Sequence, residues 1–351
     1  MWYDRFFKNL TTDVGIDLGT STTLVYIKGH GIVLTEPSIV AINQKTGRVV
    51  AVGDDASEMI GRTPAHIQAI KPLENGVISN FEVGEEMIAC FLRKALSSVG
   101  KAYFRPRVVV SVPSDITNVE RRAVRDAVMN AGAREVHIVE SPMAAAIGIN
   151  IPVYDPVGNM IVDIGGGTTD IAVISLGGVV CSKNLHIAGE KYNQDIVNYI
   201  RDEFKILLGE RTAEEVKVSI GAVLKQPVPG EALIRGRDLV TGLPREVAVT
   251  DSDIREAVFN SVVLFVDAVK EVLESTPPEV VSDIMRRGVI LVGGGSQVRG
   301  LTELLEKEIE IPIHLAEDPG TAVVRGTGVI LDNFESHRDI LIDNEDDLPP
   351  R

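Results

Sequence analysis

Asp13-Val-Gly-Ile-Asp17-Leu-Gly19-Thr20-Ser21-Thr22-Thr23, near the start of the chain, and Met160-Ile-Val-Asp163-Ile-Gly165-Gly166-Gly167-Thr168-Thr169-Asp170, near its middle, are two copies of one pattern. Each is a short apolar strand that reaches an aspartate, then a turn of glycine and hydroxyl residues, then a second apolar strand (Leu24 to Ile27; Ile171 to Ile174). A third cluster, Gly288-Val-Ile-Leu-Val-Gly293-Gly294-Gly295-Ser296, is again a strand running into a glycine turn. A buried strand delivers its aspartate to the carboxyl end, where open α/β sheets bind ligands. Glycine lets backbone N–H groups approach phosphate oxygens with no Cβ in the way, and Thr and Ser hydroxyls add donors. A carboxylate beside a phosphate is repelled by it. Asp17 and Asp163 are therefore expected to act through a hydrated Mg²⁺, which keeps most of its water shell and bridges the two anions. A single Asp-x-Gly-Thr turn reads equally well as an ordinary tight turn. Two copies plus the third cluster read as related halves closing on one nucleotide.

The chain has 351 residues, 44% hydrophobic and 24% charged, enough for two domains or one bilobed unit with a substantial core. A net charge of −15 and the lack of any Lys/Arg-rich run argue against nucleic acid as a partner. Cys90 and Cys181 lie in apolar periodic segments and read as buried free thiols of a reducing compartment. No secretory h-region and no run of 18 apolar residues is present, so the expectation is a cytosolic protein without a spanning helix.

Strands and helices alternate along the chain. Val14 to Leu18 and Leu24 to Ile27 form a hairpin-like pair that Ile32 to Leu34 extends. Arg107 to Val112 is a buried strand stopped by Pro113, followed by a helix with Thr117 and Glu120 spaced as a capping box and Gly132 past its end. Glu135 to Val139 is the next strand. Ser141-Pro142 then opens a helix, with Ser at the N-cap and Pro at N1. Further helices are expected at roughly 190–208, 212–225, 252–274 and 278–286, with a small β insertion from Pro227 to Thr250. Residues 332–351 carry seven acidic and two basic side chains and read as a disordered acidic tail.

The glycine turns, together with Lys28-Gly-His-Gly-Ile-Val-Leu-Thr-Glu-Pro-Ser38, Gly61-Arg-Thr-Pro64, Asn75-Gly-Val-Ile78, Gly209-Glu-Arg-Thr-Ala-Glu214, Arg235-Gly-Arg-Asp-Leu-Val-Thr-Gly-Leu-Pro244, Thr276-Pro-Pro-Glu279 and Ala316-Glu-Asp-Pro319, resemble the actin, sugar-kinase and heat-shock-chaperone ATPase superfamily. Within it they resemble the rod-shape-determining bacterial actins of the MreB family, from about residue 13 to 331. The resemblance implies an α/β actin-like ATPase fold, with duplicated ribonuclease H-like domains around a central nucleotide cleft. Residues 13–155 would form one domain, with a small insertion about 39–74, and 156–331 the other, with an insertion about 190–250. It implies ATP (or GTP) and Mg²⁺ as cofactors, ATP hydrolysis, homopolymer filaments at the inner face of the cytoplasmic membrane, and membrane proteins of the cell-wall elongation machinery as partners. Carried over by position, Asp17 and Asp163 hold the Mg²⁺ waters. Gly19, Thr20, Ser21 and Thr22 with Gly165, Gly166, Gly167 and Thr168 cradle the β- and γ-phosphates, and Gly189 lies beside them. Glu214 and Lys217, one helical turn apart and otherwise readable as a surface ion pair, fall at the ribose. Gly293, Gly294, Gly295 and Ser296 line the adenosine.

One departure from the family pattern bears on turnover. The family has an acidic residue directly before the proline of Glu-Pro-Met-Ala-Ala-Ala that orients the attacking water; here that residue is Ser141. A hydroxyl polarises water poorly, and Glu140, its neighbour in the strand, is expected to face the other way. ATP is thus expected to bind normally and to be hydrolysed slowly. Asn193, where the family often has Asp, is a milder departure.

Residues 1–12 read as a membrane anchor. On a helix Trp2, Tyr3, Phe6, Phe7 and Leu10 share one face, with Arg5 and Lys8 nearer the other. A frayed terminus whose aromatics fold back on the core is the competing reading. Tyr103 and Phe104, flanked by Lys101 and Arg105, form a second aromatic-basic loop, which the resemblance also places against the membrane. Three other functions stay open. A small-molecule kinase of the same fold needs a substrate-side aspartate, for which no distinct candidate is seen. A chaperone-like ATPase needs a substrate domain after residue 331. A plasmid- or organelle-positioning filament would depend on an adaptor or on DNA.

Overall fold

The computed structural model describes residues 12–101 and 105–342. Trp2, Tyr3, Phe6, Phe7, Leu10, Tyr103 and Phe104 lie outside them.

Asp13–Leu18 runs antiparallel to Thr22–Ile27 on one side and parallel to Arg107–Val112 on the other. Gly31–Pro37 and Glu135–Glu140 complete a five-stranded sheet at its two edges. The second half of the chain repeats this arrangement. Asn159–Ile164 is antiparallel to Thr169–Ser175, which pairs with Gly178–Leu185, and parallel to Val289–Val292, which pairs with Ile313–Leu315. Central strands are near-continuous aliphatic runs because both of their faces are covered; Val108, Val109 and Val110 are fully buried, as are Met160, Ile161 and Val162.

The two sheets have separate cores on their outer faces and share one between them. That third cluster takes Val109 and Val139 from the first half, Ile161, Ile174 and Val292 from the second, and the helices Ser141–Gly148 and Ala322–Asp332. The two helices cross at contact distance because their facing residues are small. A Cβ on Gly326 would stand 1.7 Å from the Ala144 carbonyl oxygen, and one on Gly148 would stand 2.0 Å from that of Ala322.

Each half carries an insertion beside the interface. The first is a three-stranded sheet of Val49–Val52, Val40–Asn43 and Ile67–Ile70. The second has the helices Gly189–Phe204 and Glu210–Ile220 and a sheet of Ile206–Leu207, Glu231–Asp238 and Pro244–Thr250. The helix Asn118–Asn130 starts with the expected capping box: Thr117 accepts from the Glu120 N–H while the Glu120 carboxylate accepts from the Thr117 N–H. A second box, Thr250 with Asp253, starts the long helix Asp251–Ser275.

Three expectations are corrected. The tail does not begin at 332: Phe334–Ile340 is a 3₁₀ segment, Ile340, Leu341 and Ile342 are buried, and the Ile342 N–H donates to the Ile138 carbonyl at 2.9 Å. The Arg107 guanidinium lies 4.0 Å from the Phe334 ring centroid, with His137 edge-on to the same ring. Four apolar residues outweigh the acids around them over this stretch. Ser141 is not a cap either: Glu140 is the N-cap residue, Ser141 and Pro142 are inside the helix, and the Ser141 hydroxyl donates to the Val112 carbonyl at 3.0 Å. Cys90 and Cys181 are free and only half-buried.

Candidate functional site

The parallel strands of both halves point their carboxyl ends at one another, and a cleft of about 1040 Å³ opens there. Gly19, Thr20, Ser21 and Thr22 form one wall of its floor and Gly165, Gly166, Gly167 and Thr168 the other. The two turns touch. A Cβ on Gly166 would stand 2.1 Å from the Ser21 hydroxyl oxygen, and one on Gly167 would stand 2.5 Å from that of Thr20. Glycine is required here because two backbones with their hydroxyls approach head-on. Thr20 is held in place by accepting from the Gly76 N–H at 2.8 Å, and the Gly165 N–H closes its own turn onto the Thr168 carbonyl at 2.9 Å.

Asp17 and Asp163 lie on the same floor, and a third aspartate, Asp170, joins them. Asp17 accepts from the Ser111 hydroxyl at 3.0 Å; burial pushes its carboxyl up to about 6 against that hydrogen bond. Asp163 is raised well above the ordinary carboxylate range, by burial first and then by the charges of Asp170 and Asp17. Asp170 accepts from the Ser114 N–H at 3.0 Å and the Asn184 amide at 2.9 Å, yet burial still raises it. Buried carboxyls that repel one another cost stability and mark functional sites. Among the described residues no three acidic, His or Cys side chains converge as a direct coordination set. The arrangement fits a hard cation held through its own waters, which Mg²⁺ tolerates and which relieves the repulsion.

Glu140 ends its strand opposite Val112, behind the wall that Ser141 lines. Burial and the charge of Asp170 push its carboxyl up to about 7. Ser141 lines the cleft and Glu140 does not, although the pair sits at the junction where the strand stops and the helix begins and not within a strand.

Glu214 and Lys217 are both on the cleft wall and form the ion pair their spacing allows, at 2.7 Å. Lys217 also donates to the Gly189 carbonyl at 2.9 Å, and Asn193 donates to Glu214 at 2.5 Å. Gly293, Gly294 and Gly295 line the opposite side. Gly293 has a φ of +82°, and a Cβ there would lie 2.4 Å from Asp163 Oδ1, so the third cluster sits directly against the second aspartate. Ser296 is the exception. It is 1% exposed, does not reach the cleft, and donates to the Gly293 carbonyl at 2.6 Å, shaping the turn instead of touching a ligand.

Sequence reading missed Ser111, Asp170, Lys71 and Glu190. Asp170 had a signal. Across the two hairpins Asp17 pairs with Leu24, whereas Asp163 pairs with Asp170, so the second copy has a carboxylate where the first has an aliphatic residue. Lys71 and Glu190 are brought together from 119 positions apart, and no local pattern announces them.

The model of the family described as "MreB/Mbl protein" matches residues 11–339. Cell shape-determining protein Mbl of Bacillus subtilis (strain 168) is 48% identical over 323 residues, covering 92% of this chain and 96% of that protein. Cell shape-determining protein MreB of Escherichia coli (strain K12) is 46% identical over 347 residues, covering 97% and 99%. Among solved structures, MreB5 of Spiroplasma citri bound to ADP superposes with a TM-score of 0.88 at 36% identity, covering 94% of this chain and 98% of that one; the same protein is also known bound to AMPPNP. A MamK double helical filament subunit, at 22% identity and a TM-score of 0.78, shares the fold.

Proposed function

The chain belongs to the MreB/Mbl family and has the actin-like ATPase fold, and from that premise we propose that it is an ATP-binding bacterial actin. It polymerises into filaments on the inner face of the cytoplasmic membrane and maintains rod shape by organising cell-wall synthesis with membrane proteins of the elongation machinery. The observation that carries the reading is the interlocked pair of glycine turns over the buried Asp163 and Asp170 and the half-buried Asp17. The names of the relatives and the nucleotides bound to MreB5 support it.

In this reading the turn N–H groups and the Thr20, Ser21, Thr22 and Thr168 hydroxyls hold the β- and γ-phosphates. Glu214 and Lys217 take the ribose, and Gly293 to Gly295 the base. Asp17 and Asp163, supported by Asp170, hold the hydrated Mg²⁺, which when bound neutralises phosphate charge. Ser111 keeps the Asp17 carboxyl turned to the floor. Glu140 is the candidate base on its protonation alone: burial and Asp170 push its carboxyl up to about 7, near the pH where a general base works best, while Ser141 and not Glu140 lines the cleft. Ser141, its hydroxyl committed to Val112, has a positioning role. Residues 13–155 and 156–331 act as the two domains that close on the nucleotide, and residues 2–10 with Tyr103 and Phe104 as the membrane contact.

Calorimetric titration with Mg²⁺-ATP tests the site. Saturable one-to-one binding that Asp163→Asn weakens at least tenfold is expected. No heat of binding to the folded wild-type chain would overturn the proposal.

A further inference from the structure

One carboxylate links several of the segments that border the cleft. Glu190 is the second residue of the helix Gly189–Phe204, and its N–H donates to the Gly166 carbonyl at 2.8 Å. Its Oε1 accepts from the Ser21 hydroxyl at 3.0 Å and from Lys71 Nζ at 2.7 Å. Lys71 directly follows the strand Ile67–Ile70 of the first insertion, and its ammonium is also 3.9 Å from the Glu210 carboxylate. Glu190 thereby joins both glycine turns, the helix of the second insertion and the edge of the first.

The contact with Ser21 conflicts with phosphate binding. A serine hydroxyl has a single proton to donate, and here it points at an anion. A phosphate group arriving on this turn needs the same donor and is repelled by the carboxylate that holds it. Lys71, in contrast, gains by exchanging one carboxylate for a more highly charged phosphate. The exchange occurs only for a ligand long enough to place a phosphate at Ser21.

We propose that Glu190 is an internal competitor for the terminal phosphate. It holds Ser21 and Lys71 in the nucleotide-free protein, a nucleoside triphosphate displaces it and inherits Lys71, and this exchange sets the preference for triphosphate over diphosphate. The inference rests on the nucleotide-binding reading of the cleft and adds to it the two side chains that sense the last phosphate.

The test is titration of the full chain and of two variants, Glu190→Gln and Lys71→Gln, with Mg²⁺-ATP and with Mg²⁺-ADP. Both side chains are about one-third exposed, at 30% and 34%, so neither replacement disturbs a core, and a melting curve of each variant verifies its fold. Glu190→Gln removes the repulsion and is expected to tighten ATP on the order of tenfold while moving ADP less than about twofold. Lys71→Gln is expected to weaken ATP by a comparable factor and to leave ADP within about twofold. An ATP-to-ADP affinity ratio that stays at the wild-type value in both variants overturns the inference and leaves the nucleotide site standing. Failure of the wild-type chain to bind either nucleotide overturns both.

Discussion

The Ser141 hydroxyl donates to the Val112 carbonyl, while the Glu140 carboxyl beside it is pushed up to about 7 by burial and by Asp170. If Glu140 accepts the proton from water, Glu140→Gln lowers phosphate release roughly a hundredfold or more with ATP still bound. Ser141→Ala, which costs one neutral hydrogen bond, stays within about threefold of wild type. The rate should climb as pH passes through about 7, because the base works only when ionised. A collapse of turnover in Ser141→Ala with normal turnover in Glu140→Gln would reverse the assignment. The same carboxyl makes the nucleotide-free fold sensitive to pH. Its folded-state value lies above the ordinary 4.5, so between about pH 4.5 and 7 the native state holds a proton that the unfolded chain has released. That contribution is present at the acid end and is lost as pH rises through 7, by up to roughly 3 kcal/mol. Urea midpoints from pH 5 to 7.5 should therefore decline in wild type and decline less steeply in Glu140→Gln, in which the raised carboxyls of Asp17, Asp163 and Asp170 remain; equal slopes would contradict the burial of this charge.

Among the elements, the crossing of Ser141–Gly148 with Ala322–Asp332 joins the two halves. Its tightness rests on Gly148 and Gly326, each facing a backbone carbonyl of the other helix at a distance no Cβ can occupy. Gly326→Ala should cost about 1–3 kcal/mol by overpacking, read as a lower urea midpoint with an unchanged slope. An unchanged midpoint would mean that the helices separate freely. This crossing was not legible in the sequence, since two glycines in helical segments look only like weak points. The strands were legible because aliphatic runs such as Val108 to Val110 ending in turn residues have few other solutions. The helix starting at Thr117 was legible because its cap is a local pattern. Most of the site floor was legible too, because both aspartates and both turns are contiguous in the chain. Reading failed where contacts are long-range or where one residue type has two uses. Ser296 was counted with the ligand hydroxyls although it bonds its own turn, and the aliphatic Ile340–Ile342 run was hidden by surrounding acids.

At the scale of the molecule, two copies of one topology face each other across the cleft, joined behind it by a shared apolar core and at its floor by the two touching turns. The proposed filament places many copies of residues 2–10 along one surface, so weak single anchors add up. Removing residues 2–10 should abolish pelleting with anionic vesicles while leaving assembly in solution intact; retained pelleting would contradict the anchor. We propose that nucleotide held on the interlocked turns is what drives assembly. The most direct test is electron microscopy and sedimentation of the wild-type chain and of Gly166→Val, each with and without Mg²⁺-ATP. The added side chain falls where the Ser21 hydroxyl stands, 2.1 Å from the Cβ position, and so separates the two turns. Filaments from wild type only with Mg²⁺-ATP, and none from folded Gly166→Val, are the predicted result. Filaments of equal mass from Gly166→Val, or from wild type without nucleotide, would contradict it.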